Sequence, residues 1–282
     1  MTDKTAPLIT IIIAVFNGIK TLQQCIDSVA SQTYSNVELI VIDGGSKDGS
    51  VDLLNANQKK IRYWISEADS GIYNAWNKGL DKARGEWIYF LGADDFFLNA
   101  DVLQGVIKQL MLLPDDVLVA YGQVMQLDKD GLPLYSFGEP WDVVKKSFKK
   151  KMAIPHQGVM HRRSLFERHG RFDESFLIMG DYELLLRELN TGKASFMQGI
   201  ILAGVRSGGL SSSPEYTLTL LDEVRRAKIL NGLNSNNGIR MIGLARFYIR
   251  SLIWKIFGDT LARRMLDFFR SMLGLPAYWT KI

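Results

Sequence analysis

Residues 87–97 read WIYFLGADDFF. An apolar run ends in two adjacent carboxylates, Asp94 and Asp95, and then turns apolar again. Neighbouring carboxylates repel, and burying them beside hydrophobic side chains is costly without a counter-charge. A divalent cation supplies that counter-charge and takes oxygen ligands. Three more polar segments follow apolar runs: Phe16-Asn17-Gly18, the stretch from Asp43 to Gly49 (DGGSKDG), and the stretch from Ser66 to Gly71 (SEADSG). Turns favour Asp, Gly and Ser for local reasons. Four such segments converging on one edge suit a metal and a hydroxyl-rich ligand.

The elements that must position these residues alternate. LITIIIAVF (8–16), VELIVID (37–43), IRYWIS (61–66) and EWIYFLG (86–92) are short and rich in β-branched and aromatic residues, as strands are. TLQQCIDSVASQ (21–32), SVDLLNAN (50–57) and IYNAWNKGLDKA (72–83) read as helices, the first with Leu22, Cys25, Ile26 and Val29 at helical spacing. This alternation predicts βαβ units, a mostly parallel sheet, and a ligand beyond the strands' carboxyl ends. Further on, a helix over about 101–112, a hairpin around DKDG (128–131) and a last strand over 195–205 are expected. Ser164 and Glu167 have capping-box spacing, and Asp181 stands where it would cap a helix over 182–189. From about residue 215 the chain reads as helical to its end.

Composition narrows the function. The 282 residues carry a net charge of +4 and one cysteine, Cys25, so no internal disulfide forms. Eight Lys or Arg against two Asp fall in residues 239–282, so basicity is local to the tail, unlike the footprint of a nucleic-acid binder. The N-terminal apolar run is too short to span a bilayer and reads as a strand, not a signal peptide. Dinucleotide, P-loop, zinc and nucleophile-elbow motifs are absent.

TIIIAVFNG, SVASQTYSNVELIVIDGGSKDGS, EADSGIYNAWNKGLDKARGEWIYFLGADD and FDESFLIMGDYELLLRE, in that order over residues 8–205, resemble inverting family 2 glycosyltransferases. The resemblance is greatest to bacterial enzymes of exopolysaccharide and O-antigen assembly. It implies a GT-A α/β domain over 1–212 (donor half 1–98, acceptor half 99–212) and a helical appendage over 213–282. It also implies a nucleotide-diphospho-sugar donor, most often a UDP-sugar, with Mg2+ or Mn2+. By resemblance Asp43 meets the base, Phe16 and Asn17 line its pocket, and Asp69 stands near the nucleotide. Asp94 faces the ribose and Asp95 ligates the cation. Asp181 matches the catalytic base, with Glu183 as fallback because the family's Glu-Asp pair here reads Gly180-Asp181. Trp76 replaces a frequent Arg; Lys78 would substitute for it, or Trp76 would stack on the ligand, or simply pack in its helix. His156 recurs where acceptor or diphosphate is contacted, and a satisfied core histidine is the other reading. The acceptor is a glycan or lipid-linked saccharide. A nucleotidyltransferase and a non-catalytic sugar-nucleotide-binding protein are the rivals.

In the tail, Arg240, Arg246, Arg250 and Lys255 share about half the helix circumference, with Phe247, Trp254 and Phe257 nearby. Leu261, Met265, Phe268, Phe269 and Met272 form an apolar stripe opposite Arg263, Arg264 and Arg270. Such a surface suits anionic lipid, to which Lys145, Lys146, Lys149, Lys150 and Lys151 could add. A cap on the domain or on a second subunit of a homo-oligomer is the alternative. The expected location is cytoplasmic, peripheral on the inner face of the cytoplasmic membrane.

Overall fold

The computed structural model describes residues 6–128, 130–206, 209, 214–234 and 237–281. The boundary drawn at 212/213 and the side chains of Arg240 and Arg246 lie outside the described residues. In chain order the first half runs β1 (Ile9–Val15), α1 (Ile19–Ala30), β2 (Val37–Asp43), α2 (Ser50–Ala56), β3 (Tyr63–Ser66), α3 (Ile72–Lys82), β4 (Trp87–Gly92) and α4 (Val102–Leu110). Then come β5 (Val119–Leu127), β6 (Pro133–Phe137), α5 (Trp141–Phe148), β7 (Val159–Arg162), α6 (Arg163–His169), α7 (Gly180–Leu189) and β8 (Ala194–Val205). Helices α8 (Thr217–Leu230) and α9 (Asn237–Met272) close the chain.

One sheet runs β3-β2-β1-β4-β7-β5-β6, with β8 joined to β5. Strands β1 to β4 are parallel to one another, and β5–β8 is a further parallel pair. β7 is antiparallel to both β4 and β5, and β5–β6 is the expected hairpin. β1 is central, and its residues divide between two cores. Ile9, Ile11 and Ile13 pack with Leu22, Cys25 and Ile26 of α1, while Ile12 packs with Tyr73, Ala75 and Trp76 of α3. Helices therefore cover both faces, which is why β1 is almost continuously apolar. Each fully buried Ile contributes about 1.5–3 kcal/mol by leaving water.

The parallel half puts the carboxyl ends of β1, β2, β3 and β4 at one edge, where the polar segments emerge. Three local expectations differ. Helix α6 starts at Arg163 with Arg162 as its N-cap and no side-chain capping bond, so the Ser164–Glu167 capping box does not form. Helix α7 starts a residue before Asp181, with Met179 as N-cap and no side-chain capping bond. The chain also leaves helix after Met272, and its last residues fold back along α9.

The turn before α7 is held from another element. Glu223 on α8 is buried, and its carboxylate accepts the N–H groups of Leu177 (2.7 Å), Ile178 (2.8 Å) and Met179 (2.9 Å). Three donors on one carboxylate fix the turn that leads into α7. Ala227 and Lys228 of α8 are buried too, so α8 packs as part of the α/β body.

Candidate active site

A cavity of ≈ 540 Å³ opens where β4, α3, α7 and the segment after β8 meet. Asp94, Asp95, Trp76, His156 and Asp181 line it, so residues more than a hundred positions apart share one space. Asp94 and Asp95 leave β4 in a tight turn in which Asp95 N–H donates to the Gly92 carbonyl (3.0 Å). A Cβ on Gly92 would lie 2.6 Å from Asp95 Oδ2 and 3.0 Å from Asp94 Oδ1, so only glycine lets both carboxylates fold back.

Asp95 is 5% exposed. Burial first, and then the charge of Asp94, push its carboxyl up to about 8. Arg206, just beyond β8, opposes this: its N–H donates to Asp95 Oδ1 (3.3 Å) and its guanidinium to the Asp94 carbonyl (3.5 Å). A bound cation would relieve the same penalty. Among the described residues no group of three or more His, Cys, Asp or Glu could hold a metal unaided. Two adjacent carboxylates nonetheless fit Mg2+ or Mn2+, which commonly complete their shells with water and substrate phosphate.

Asp181 stands in the first turn of α7 and accepts Tyr182 N–H (2.7 Å). Burial raises its pKa, opposed chiefly by His156, whose Nδ1 lies 4.0 Å from Asp181 Oδ2. Burial in turn lowers the pKa of His156, whose Nε2 has no hydrogen-bond partner. The imidazole stacks on Trp76 at 4.9 Å between ring centroids. Trp76 also meets Phe90 at 4.7 Å, so it is core residue and cavity wall at once.

Tyr73 explains Gly180. Its hydroxyl donates to the Ile178 carbonyl (2.6 Å) and lies 3.4 Å from Asp181 Oδ1. Its ring is so near that a Cβ on Gly180 would come within 2.8 Å. Glu183 faces away from the cavity: both carboxylate oxygens bind the Arg187 guanidinium, and Asn231 donates to one (3.3 Å).

The other expected donor residues cluster beside the cavity, along the ends of β1, β2 and β3. Asp43 is fully buried. Its Oδ2 accepts Gly45 N–H (3.0 Å), Ser46 N–H (2.9 Å) and the Ser66 hydroxyl (2.6 Å), while Oδ1 has no partner. Phe16 and Asp69 both flank Gly44, where a Cβ would lie 3.4 Å and 2.7 Å from them. Phe16 is 67% exposed. Asn17, at φ 52°, latches the Asp43–Gly49 loop by accepting Lys47 N–H (3.0 Å) and donating its own N–H to Ser46 Oγ (2.7 Å). Lys78 pairs with Glu67 at 2.8 Å and donates to the Ala68 carbonyl (3.3 Å).

Tyr73, Arg206, Glu223 and Lys151 escaped the sequence reading as site residues. Arg206 had a signal, since it directly follows the last strand as the carboxylates follow β4. Tyr73 and Glu223 had none, because their partners are chosen by packing. Lys151 lines the cavity.

The sequence profile of Glycosyl transferase family 2 matches residues 10–168. A PGL/p-HBAD biosynthesis glycosyltransferase of Mycobacterium bovis is 31% identical over 213 residues, covering 74% of this chain and 80% of its own. An uncharacterized glycosyltransferase of Mycobacterium tuberculosis is 34% identical over 187 residues, covering 65% and 69%. Among solved structures, Staphylococcus aureus TarS 1–349 in complex with UDP superposes with TM-score 0.62 at 19% identity, covering 86% of this chain and 71% of that one. The mannosyltransferase PcManGT of Pyrobaculum calidifontis, in complex with GDP-Man and Mn2+, gives 0.61 at 17% identity, covering 93% and 75%. These likenesses show the GT-A fold, and the profile and the mycobacterial relatives show the rest: the chain belongs to glycosyl transferase family 2.

Proposed function

We propose that the protein is a metal-dependent, inverting glycosyltransferase. It would move a sugar from a nucleotide-diphospho-sugar, a UDP-sugar by preference, to a hydroxyl of a glycan or lipid-linked saccharide in cell-surface polysaccharide synthesis. Family membership sets the nucleotidyltransferase aside. The observation that carries the reading is that Asp94, Asp95 and Asp181 open into one cavity, two beside Arg206 and one beside His156.

In this reading the base sits by Asp43, whose unpartnered Oδ1 would accept an imide N–H such as that of uracil. Phe16 and Asp69 flank that place, and Lys78 stands beside the Asp69 loop. Asp94 meets the ribose. Asp95 would hold the cation together with the donor's phosphates. When bound, Mg2+ or Mn2+ supplies Lewis-acid stabilisation of the charge on the departing diphosphate, and Arg206 adds fixed positive charge nearby.

Asp181 takes the proton of the acceptor hydroxyl. The acceptor oxygen then bonds to the anomeric carbon from the face opposite the leaving group. The bond from that carbon to the phosphate oxygen breaks, and the nucleoside diphosphate leaves with the electron pair. A carboxylate with a raised pKa is the better base for this step. His156 and Trp76 shape the wall where acceptor or diphosphate would lie, and Glu183 has no part. A lipid-linked acceptor would bring the enzyme to the inner face of the cytoplasmic membrane.

The test is a thermal-shift screen of nucleotide sugars with and without Mn2+. Ligand at 100 times its Kd stabilises by about 2.7 kcal/mol. A UDP-sugar shift that needs Mn2+ and is lost in Asp95→Asn is expected. A shift indifferent to both removes the metal from the reading.

A further inference from the structure

Helix α9 breaks at Gly258 (φ 68°, ψ 176°) into two arms. On the first arm Met241, Tyr248, Ile249, Leu252 and Ile256 are 56–63% exposed, at helical spacing along one face. On the second, Leu261, Phe268, Phe269 and Met272 repeat that spacing at 49–69% exposure. The polar contacts lie about half a turn away on both arms. Trp279 of the returning tail meets Trp254 (5.4 Å between centroids) and lies under Arg250 (5.3 Å). Asp267 accepts the N–H groups of Tyr278 (2.8 Å), Trp279 (2.9 Å) and Thr280 (2.8 Å), and Arg263 donates to the Trp279 carbonyl (2.8 Å). The appendage is thus inside out, with a polar and aromatic clasp within and two apolar stripes facing solvent.

Such stripes mark a binding surface. Charge decides for what. Lys255 and Arg264 are exposed and stand three residues after Leu252 and Leu261. Arg264, expected opposite its stripe, therefore lies at its edge, as Lys255 does on the first arm. The tail carries eight basic residues against two acidic ones. A second copy would set like charges face to face, whereas anionic headgroups complement them. Among the described residues no helix is long and apolar enough to cross a membrane.

We infer that both arms of α9 lie in the interface of an anionic bilayer, their stripes embedded among the acyl chains and Lys255 and Arg264 at the headgroups. This deepens the peripheral placement proposed above and is independent of the transfer chemistry, because donor binding reports on the cavity and vesicle binding on α9.

The full chain is co-sedimented with phosphatidylcholine vesicles and with vesicles in which a third of the lipid is phosphatidylglycerol. Binding to the anionic vesicles at least tenfold above the neutral ones is expected, weakening with salt. The combined Leu252→Ser, Ile256→Ser, Phe268→Ser variant should lose that binding at least tenfold while keeping the donor-induced thermal shift. Lys255→Gln with Arg264→Gln should lower only the anionic preference. Failure of the native chain to bind anionic vesicles overturns the inference, as does undiminished binding by the triple variant. A lipid-free dimer split by the same substitutions, with no vesicle binding, overturns it in favour of a second copy.

Discussion

Asp95 and Asp181 are both carboxylates held above their ordinary range by burial, and their surroundings fit the different roles proposed for them. Asp95 adjoins a second negative charge and is suited to a cation; Asp181 adjoins the His156 imidazole, whose pKa burial lowers, and is suited to receive a proton. Asp181→Asn should lower kcat by about 10²–10⁴, the usual worth of a positioned base, with donor Kd unchanged by calorimetry. With Asp181 as the proposed base the carboxylate is the active form, and its pKa is raised, so the acid limb of the rate should fall above pH ~3.9, the ordinary aspartate value. Asp95 makes a stability prediction of opposite sense to its proposed role. Its folded-state pKa of about 8 exceeds the unfolded value. Its contribution is therefore most favourable below pH ~3.9 and is lost as pH rises toward 8. In metal-free protein at pH 8, Asp95→Asn should raise Tm, each ~1 kcal/mol recovered giving about 2–4 °C, while abolishing Mn2+-dependent turnover.

At the scale of elements, the turn before α7 is the part that sets Asp181. It is held from α8 by Glu223 and from α3 by Tyr73, both on its backbone. Glu223→Ala leaves three donors without their acceptor, and bonds to charged groups are worth about 1.5–3 kcal/mol each. A stability loss of about 4 kcal/mol or more in urea is expected, with kcat falling more than the donor Kd changes. Glu223→Gln, with one acceptor oxygen retained, should recover part of both. Gly180→Ala drives a Cβ to 2.8 Å from the Tyr73 ring; overpacking of this kind costs about 1–3 kcal/mol, and kcat should fall with it. Unchanged turnover in both Glu223→Ala and Gly180→Ala would detach the turn from catalysis.

At the scale of the molecule, α8 and α9 part company. Helix α8 buries Glu223, Ala227 and Lys228 against the body, while α9 directs apolar stripes outward. A chain ended after residue 234 should keep cooperative unfolding and turnover on a soluble acceptor. One ended after residue 212 should lose about the stability lost in Glu223→Ala, or more. Circular dichroism melts and turnover on a water-soluble acceptor measure both. Equal Tm for the two would place α8 with the appendage.

The strands β1 to β4, helices α1 to α3, the β5–β6 hairpin and the edge that gathers the polar segments were all legible in the residues. Each is specified locally, by runs of Ile and Val, by spacing such as Leu22-Cys25-Ile26-Val29, or by glycine and aspartate at turns. Asp94 and Asp95 were legible for the same reason, since a charge pair ending a buried strand is visible without partners. The sequence did not carry what depends on contacts across a hundred residues. Glu223 on the turn before α7, Tyr73 against Gly180, Arg206 over the carboxylates, Glu183 turned away to Arg187, and the outward face of α9 are settled by which surfaces meet. Periodicity finds a helix and its apolar stripe; only packing decides whether that stripe is covered.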